Sequence, residues 1–530
     1  MVDEAQTLTA YPSKTVALTQ GLARNTFFNL IGWVWPIALA FVSVPYIVSQ
    51  LGNDAYGIYA IVSIVAGYLG LLSMPVAMGN VRFMAGAYAR QEWPELRQTA
   101  VTGVVIVGAL SALGAVVMFL AADVLARSVF EIPAALVENA VIAFRLAATS
   151  FFLNGVAGAL RGVPSAVRRY DILSLVSLSV GTLNTVGIVL AIWLGWGLLG
   201  AVVAQVLSSA LAMMAFATVA WLLLRRFPGS DQKWIADRRF LRRFVSFSSL
   251  LFAGQVASTI GLQIDRTLIG VLLGTSAVTF YIVPTKITDK IPNMMFYFCT
   301  ALYPLSSEAM ATGKMGDLRR MYLEMVRILL WISAFMGTLV MVLSKDILML
   351  WMGPEFMANS WLVLVLLAAG VIWRAPGSVA YQVCNGLGRA DINLVASIGT
   401  TVLLTLPVAI LAPRLGPPGA ALGVFVGLAL QNVAYDLFTQ RKLLGCKNWM
   451  VSLTPYVRVA LAVAATMVCV GLLHVDVTGW GGLVARACLV SFFYVGCSLV
   501  VGALQARDIR FGIAKFNHAF RKIQAWRTSL

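Results

Sequence analysis

The sequence contains Gln263-Ile-Asp-Arg-Thr-Leu-Ile-Gly-Val-Leu-Leu-Gly274 and, six residues later, Tyr281-Ile-Val-Pro-Thr-Lys-Ile-Thr-Asp-Lys-Ile-Pro292. Both stretches belong to hydrophobic segments long enough to cross a membrane, and a tight turn joins them. They carry five ionisable side chains, which are Asp265, Arg266, Lys286, Asp289 and Lys290. A charged side chain at mid-bilayer costs roughly 2.5–3.5 kcal/mol, so it requires a partner or water. We therefore expect the rest of the chain to build a polar cavity around these residues.

The composition of the whole chain is typical of a polytopic membrane protein. Of 530 residues, 60% are hydrophobic and 12% are charged, and the mean hydropathy is +0.86. These values exclude a soluble protein of ordinary composition. Fourteen apolar runs come close to or exceed the length of about 20 residues that a transmembrane helix needs. They lie at 28–49, 57–79, 99–122, 138–160, 172–194, 197–224, 246–273, 277–303, 321–343, 359–383, 392–412, 417–438, 453–473 and 482–504.

The distribution of basic residues predicts the orientation of these spans. With the N-terminus inside, 28 of the 39 Lys and Arg residues fall in cytoplasmic segments, three in outer loops and eight within spans. Basic residues near span ends stay on the cytoplasmic side, so we expect both termini to be cytoplasmic. The net charge of +17 is accounted for by this bias and by attraction to anionic membrane lipids, without a nucleic-acid partner.

Two short motifs occur twice in the chain. Residues 51–59 and 273–281 both read Leu-Gly, six residues, Tyr, at an offset of 222 residues, and Gly197-Leu-Leu-Gly-Ala201 matches Gly416-Pro-Pro-Gly-Ala420 at an offset of 219. Because six spans are an even number, the two copies enter the membrane from the same side and form parallel repeats. The sequence therefore predicts an all-α membrane protein with two six-helix lobes and two further helices.

This interpretation divides the chain into six parts. They are a cytoplasmic N-terminal lead (1–27), a first lobe (28–224), a basic cytoplasmic linker (225–245), a second lobe (246–438), two additional helices (439–504) and a basic amphipathic tail (505–530). The additional helices are apolar apart from Arg458 and Arg486, which lie near span ends, where long side chains reach the interface.

One helix face of the eighth span is polar. Lys286, Asp289, Lys290, Asn293 and Tyr297 recur at helical spacing and share this face. At 1.5 Å per residue, Asp265 and Arg266 lie about 12–14 Å from the turn at Gly274, which is near mid-membrane. Pro284 and Pro292 bracket the stripe and predict a kinked helix that frees backbone carbonyl groups.

Two further arginines extend the predicted cationic cavity. Arg374 lies in the tenth span and Arg145 in the fourth. Four bases at this level (Arg266, Lys286, Lys290 and Arg374) exceed the two aspartates by two, which suits an anionic ligand. Asp265 and Asp289 have two compatible interpretations. They neutralise neighbouring bases and hold helices together, or they carry a coupling proton whose binding releases a base.

At this point the sequence resembles the multidrug/oligosaccharidyl-lipid/polysaccharide (MOP) exporter superfamily, in its polysaccharide-transporter branch of Wzx-type O-antigen and exopolysaccharide flippases. The resemblance covers residues 20–440. The residues that carry it are Pro45-Tyr-Ile-Val-Ser-Gln-Leu-Gly52, Tyr56-Gly-Ile-Tyr59, Asp265-Arg266, Ile269-Gly270, Leu273-Gly274, Tyr281 and the segment from Gly416 to Ala421.

The resemblance implies a V-shaped pair of six-helix lobes that moves a polyprenyl-pyrophosphate-linked oligosaccharide to the outer leaflet by alternating access. It also implies a cationic lumen, which Arg266, Lys286 and Lys290 would line, and a lipid-tail groove formed with the two extra helices. Flippases of this branch work beside a polymerase and a chain-length regulator. We expect a monomer driven by a proton or sodium gradient, without a bound cofactor or metal.

Two other function classes stay open from the sequence. A multidrug or cation antiporter of the same fold would favour carboxylates over bases in its cavity. A membrane polymerase or glycosyltransferase of the same pathway would need a catalytic base and a sizeable outer loop, but the predicted outer loops are short. The two histidines, His474 and His518, lie at a span end and in the tail, and the sequence has no zinc or P-loop motif. We therefore expect a protein that is not an enzyme.

Overall fold

The computed structural model describes residues 35–227 and 255–504, apart from 257–258, 262, 301, 447 and 474–478. The described residues are helical almost throughout and include no strand, so the all-α prediction is confirmed. The predicted lead (1–27), all but the first three residues of the predicted linker (225–245) and the predicted tail (505–530) lie outside the described residues.

The chain divides into two compact units, Met1–Gln255 and Val256–Leu530. The described part of the first unit forms six helices. They are α1 (Trp35–Leu51), α2 (Asn53–Ala89), α3 (Trp93–Val124), α4 (Ala134–Ala166), α5 (Tyr170–Trp193) and α6 (Gly197–Arg225). A π-helical turn, Leu125–Val129, continues α3.

The described part of the second unit forms eleven helices, several of them short. They are α7 (263–273), α8 (Thr275–Thr288), α9 (Lys290–Cys299), α10 (Leu302–Thr312), α11 (Met315–Val342), α12 (Ser344–Met352), α13 (Pro354–Ile372), α14 (Arg374–Gly386), α15 (Ala390–Phe438), α16 (Trp449–Leu472) and α17 (Gly479–Val501). The long α15 is broken at Gly416, whose φ of 66° and ψ of −152° are not helical. A π-helical turn, Thr439–Leu443, follows α15.

Ten helical segments of the described chain are long and apolar enough to cross a membrane. The protein is therefore a multi-pass membrane protein. The predicted number of fourteen spans is not confirmed and stays a prediction. Four places account for the difference. The first span is the short α1, part of the seventh (246–273) lies outside the described residues, and the eighth is divided into α8 and α9. The eleventh and twelfth are one continuous segment, α15 with its turn, despite the break at Gly416.

The backbone repeats between the two units. Five residues with positive φ in the first unit are each followed, 219–222 residues later, by a glycine with positive φ in the second. The pairs are Gly52 and Gly274, Gln91 and Gly313, Glu131 and Gly353, Arg168 and Gly388, and Gly197 and Gly416. Each lies at a junction between helices, where the chain must leave the right-handed helical conformation. The two units therefore share one order of helices and junctions.

An ion pair repeats in the same way. Arg169 pairs with Asp171 at the start of α5 (2.9 Å), and Arg389 pairs with Asp391 at the start of α15 (2.8 Å). In both pairs the arginine precedes the helix and the aspartate lies in its first turn. The hydrogen-bonded carboxylate raises the pKa of each arginine above its ordinary value. The aspartates also place negative charge where the helix dipole favours it.

Helix α4 is the centre of the first unit and packs against α2, α3 and α6. Small residues let these helices approach closely. A Cβ atom at Gly103 of α3 would lie 2.1 Å from the Asn80 side chain of α2, and one at Gly155 of α4 would lie 2.0 Å from the Ser111 hydroxyl of α3. Close packing of small residues is a main source of helix association in lipid, where the hydrophobic effect between helices is weak.

In the second unit, α13 and α14 occupy the matching central position, and α16 and α17 pack against α11 and each other. The hydroxyl of Tyr494 in α17 donates a hydrogen bond to the carbonyl of Trp331 in α11 (2.9 Å). Arg486 pairs with Asp346 of α12 at 2.7 Å, and both side chains are mostly buried. That Arg486 reaches the membrane interface stays a prediction. Arg458 donates to the carbonyl of Gly502.

Candidate functional site

Prolines break the eighth span where its charges lie. Pro292 lacks the N–H that would bond the carbonyl of Thr288, and helix α8 ends there, with α9 beginning at Lys290. Pro284, inside α8, leaves the carbonyl of Phe280 without its helical partner in the same way. The hydroxyl of Ser360 in α13 donates to this carbonyl at 2.8 Å. The predicted kink is confirmed, and Asp289 is the residue at the break.

A second break positions Arg374. Helix α13 ends at Ile372 and α14 begins at Arg374, with Trp373 between them. Pro376, the third residue of α14, lacks the N–H that would bond the carbonyl of Ile372. The eighth and tenth predicted spans are therefore interrupted at or beside Asp289 and Arg374.

Two polar pairs hold α7 against the helices that follow it. The guanidinium of Arg266 donates to Asp289 Oδ2 at 2.6 Å, with Arg266 23% and Asp289 44% exposed. The buried hydroxyl of Tyr281 donates to Asp265 Oδ2, also at 2.6 Å. The other carboxylate oxygen of Asp265, Oδ1, is buried and has no hydrogen-bond partner among the described residues. The aspartates thus contact α7, α8 and the junction before α9.

The other predicted cations surround this network. Lys286 lies in the electrostatic field of Arg266, Asp289 and Lys290, and Arg374 lies in the field of Asp289, Asp265 and Arg266. Within the described part of the chain, none of Lys286, Lys290 and Arg374 forms a direct ion pair. Lys286 is exposed, and Lys290 and Arg374 are partly buried. The structure therefore brings together six of the predicted site residues, with three cations available to an anionic ligand.

The other three predicted site residues have different surroundings. Asn293 and Tyr297 are exposed on α9, and Tyr297 is 68% exposed. Arg145 belongs to the first unit, where it pairs with Asp123 at 2.7 Å and lies over the ring of Phe119. An ion pair already neutralises Arg145.

Sequence reasoning missed two residues. Ser360, which completes the hydrogen bonding of the broken α8, is an ordinary serine in an apolar span. Asp436 is completely buried near the end of α15, although the sequence shows it only as a carboxylate at a span boundary. One sequence signal could have pointed to Asp436: the four residues before it (432–435) include no lysine or arginine that would pair with it on the same helix. No group of three or more metal-ligating side chains occurs in the described part of the chain.

A profile of known sequences matches residues 22–310, more than half of the chain, and its description is "Polysaccharide biosynthesis protein". The chain belongs to this family. It is also 20% identical, over 76% of its own length and 93% of the other's, to a Shigella flexneri protein named "Putative O-antigen transporter".

Solved structures of MOP-superfamily proteins share the fold of this family member. The inward closed lipid II flippase MurJ aligns with a TM-score of 0.67 at 11% identity, over 90% of this chain and 98% of MurJ. An inward-facing multidrug resistance transporter of the MATE family aligns with a TM-score of 0.62 at 19% identity, over 76% and 93% of the two chains. At these identities the likeness shows the fold alone. The resemblance noted from the sequence is confirmed.

Proposed function

We propose that the protein is a transporter that moves a polyprenyl-pyrophosphate-linked oligosaccharide across the membrane for surface polysaccharide export, by alternating access. Membership of the polysaccharide biosynthesis family and the MOP fold support a transporter. The name of the Shigella relative points to a polysaccharide cargo. The finer assignment to a lipid-linked pyrophosphate depends on the charges of the second unit.

The excess of cations in the second unit is the observation that carries this proposal. Arg266 is neutralised by Asp289, but Lys286, Lys290 and Arg374 have no direct ion pair in the described part of the chain. Unpaired charges within a membrane span are expensive, so they are typical of a pathway for an oppositely charged substrate. A pyrophosphate group supplies several negatively charged oxygens, to which lysine and arginine donate strong charge-assisted hydrogen bonds. The partial positive charge at the start of α14 adds to that of Arg374.

The aspartates supply a means of ion coupling. A proton on Asp289 would weaken its ion pair and release Arg266 toward the substrate. A proton on Asp265 could occupy Oδ1, which has no partner among the described residues. Each protonation would raise the net positive charge of the cluster when the pyrophosphate is bound. Transport driven by a proton gradient follows, and Asp265→Asn would remove its pH dependence if Asp265 carries the proton.

The proposed transporter lies in a bacterial inner membrane with both termini cytoplasmic and works as a monomer, beside a polymerase and a chain-length regulator. The bias of Lys and Arg between alternate loops supports this orientation. Cysteine labelling of loops in intact cells tests it, since residues in the predicted outer loops, such as Arg414→Cys, should react with a membrane-impermeant reagent.

The deciding experiment compares lipids from a strain that lacks the gene with lipids from complemented strains. Without the protein, we expect complete lipid-linked oligosaccharide to accumulate with its glycan on the cytoplasmic side. Complementation by Lys286→Gln/Lys290→Gln should fail at normal protein level, because the charges that bind pyrophosphate are lost. Lys314→Gln/Lys442→Gln, which removes two exposed lysines from the same unit, should complement normally.

Three results would contradict the proposal. Normal polymer output from the Lys286/Lys290 variant would show that these lysines do not bind the pyrophosphate. Units found outside but unpolymerised in the deletion strain would indicate a polymerase or ligase function instead. Unchanged lipid-linked sugars together with altered drug sensitivity would indicate an antiporter.

A further inference from the structure

Asp436 is a buried carboxylate that the proposed transport cycle does not use. It lies at the end of α15 and is completely inaccessible to solvent. Three neutral groups donate hydrogen bonds to it: the hydroxyl of Tyr322 to Oδ1 (2.5 Å), the hydroxyl of Tyr456 to Oδ2 (2.5 Å) and the amide of Gln440 to Oδ2 (2.6 Å). The donors come from α11, α16 and the π-helical turn after α15, so one carboxyl joins three elements.

The environment of Asp436 contains no counter-charge. Within the described residues no lysine or arginine pairs with it, and the titratable groups near it are Tyr322, Tyr456 and, beyond Tyr322, Cys384. Burial without a cation favours the protonated acid, whereas three donated hydrogen bonds favour the carboxylate. The amide oxygen of Gln440, Oε1, is also buried and unpartnered in the described part of the chain, and a turn of the amide would offer this acceptor to a proton on Oδ2.

A stacked pair connects Asp436 to the cationic cluster. The ring of Tyr456 lies parallel to the indole of Trp373, with ring centroids 6.1 Å apart and an interplanar angle of 9°. Trp373 is the residue at the break between α13 and α14, directly before Arg374. A change in the hydrogen bond of Tyr456 therefore acts on the residue that positions Arg374.

We infer that Asp436 is a proton-binding site, distinct from Asp265 and Asp289, whose protonation acts through Tyr456 and Trp373 on the helix break that carries Arg374. Binding of a proton to Oδ2 removes one acceptor, so the Tyr456 hydroxyl must find another acceptor or turn. The carboxyl thereby couples pH to the contact between α16 and the central helix pair. This inference does not depend on the identity of the transported substrate.

Infrared difference spectroscopy of the full-length protein in phosphatidylethanolamine/phosphatidylglycerol vesicles tests the proton site. Between about pH 8 and about pH 5, the range in which such switches operate, the native protein should gain a carbonyl band of a protonated carboxyl group. Asp436→Asn should lose the part of this band that Asp436 contributes, whereas the part from Asp265 or Asp289 stays. Asp391→Asn, which removes an exposed aspartate of the same unit, should retain the whole band. An unchanged band in Asp436→Asn would overturn the inference.

Tyr456→Phe keeps the carboxyl and tests the site even where Asp436→Asn fails to fold. It removes one hydrogen bond to the charged form, so the midpoint of the titration should rise by about 1–2 pH units. A midpoint equal to that of the native protein would contradict the geometry described above. A band that responds to sodium chloride at constant pH, and not to pH itself, would show that the carboxylate binds a metal cation. That result would overturn the inference of a proton-binding site.

Hydrogen exchange at the start of α14 tests the link to Arg374. After correction for the intrinsic effect of pH, exchange in the native protein should change between the two pH values. In Asp436→Asn, exchange at neutral pH should already equal that of the native protein at acid pH, because the amide mimics the neutral acid. Identical exchange in both proteins at both pH values would exclude the coupling.

Discussion

In the first unit the second span is one helix of 37 residues, Asn53–Ala89, whereas the matching stretch of the second unit is divided into α8, α9 and α10. The positions of the prolines, compared at the offset of 222 residues, account for part of the difference, although α2 contains Pro75 and is unbroken. Pro284 and Pro292 of the second unit correspond to Val62 and Gly70 of the first. A helix without proline at these positions keeps its hydrogen bonds, and one with both prolines loses them at two carbonyl groups.

The charges follow the same division. Asp265, Arg266, Lys286, Asp289 and Lys290 correspond at this offset to Ser43, Val44, Ile64, Gly67 and Tyr68. One framework of junctions, repeated with small changes of offset, thus supports an unbroken, largely uncharged set of spans in one unit and a broken, charged set in the other. Comparison of the two units teaches that the charged site depends on helix breaks and not on the shared order of helices.

The largest effect is expected from matched ion pairs in the two units. Asp289→Asn removes the partner of Arg266 in the charged cluster, and Asp123→Asn removes the partner of Arg145 in the first unit. A hydrogen bond to a charged group contributes about 1.5–3 kcal/mol, so transport should fall about tenfold or more in Asp289→Asn. Asp123→Asn should lose less than about twofold, because its ion pair is roughly half exposed. Equal losses in flipping of lipid-linked oligosaccharide by vesicles would show that the two units are not specialised.

A second prediction concerns α16 and α17, which have no counterpart among the described residues of the first unit. Arg486→Gln breaks the mostly buried pair with Asp346 that ties α17 to α12. Loss of one partner leaves the other charge uncompensated, so the protein should lose about 2–3 kcal/mol of stability. The melting temperature in detergent measures the loss. Arg389→Gln, which breaks an exposed pair, should cost less than about 1 kcal/mol. Equal losses of stability in the two variants would contradict a stabilising role of the Arg486–Asp346 ion pair.

Ser360→Ala tests whether the broken helix needs external hydrogen bonds. The variant leaves the carbonyl of Phe280 without a donor, which costs about 1–2 kcal/mol for a buried group. In the first unit, the hydroxyl of Ser63 bonds a carbonyl of its own unbroken helix, so Ser63→Ala should change stability by less than about 0.5 kcal/mol. Thermal unfolding of both variants in the same detergent makes the comparison, and similar melting temperatures would argue against a special demand at the break.

The smallest effect is expected at a repeated junction. Gly313 and Gln91 occupy matching positions and both have positive φ. Gly313→Gln should cost about 1 kcal/mol because a side chain disfavours this conformation, and no neighbouring atom would obstruct the new Cβ atom. Gln91→Gly should be neutral or stabilising, since glycine adopts the conformation freely. Thermal unfolding should therefore show a lower melting temperature for Gly313→Gln and an equal or higher one for Gln91→Gly. A higher melting temperature for Gly313→Gln would contradict the equivalence of the two junctions.

Local sequence patterns were enough to predict the all-α fold and the repeated junctions. Asp265 and Tyr281 lie at similar distances on either side of Gly274, so a helical hairpin brings them together. The partner of Arg266 could not be predicted in this way, because Asp289 lies seven residues farther from the turn than Arg266 does. The hydrogen bonds of Asp436 could not be predicted either, because two of its donors, Tyr322 and Tyr456, belong to other helices that are distant in sequence or separated from α15 by a turn. Periodicity shows which face of a helix is polar, but not which helix lies opposite.

The attachment of α16 and α17 to α11 has a practical consequence for observing the protein at work. Because this pair packs within the second unit and Arg486 fastens it to α12, a fluorophore or spin label fixed near the end of α17 would follow the second unit as a body. A second label in α5 would follow the first. The distance between two such labels would then report relative movement of the two units, without any modification of the charged residues.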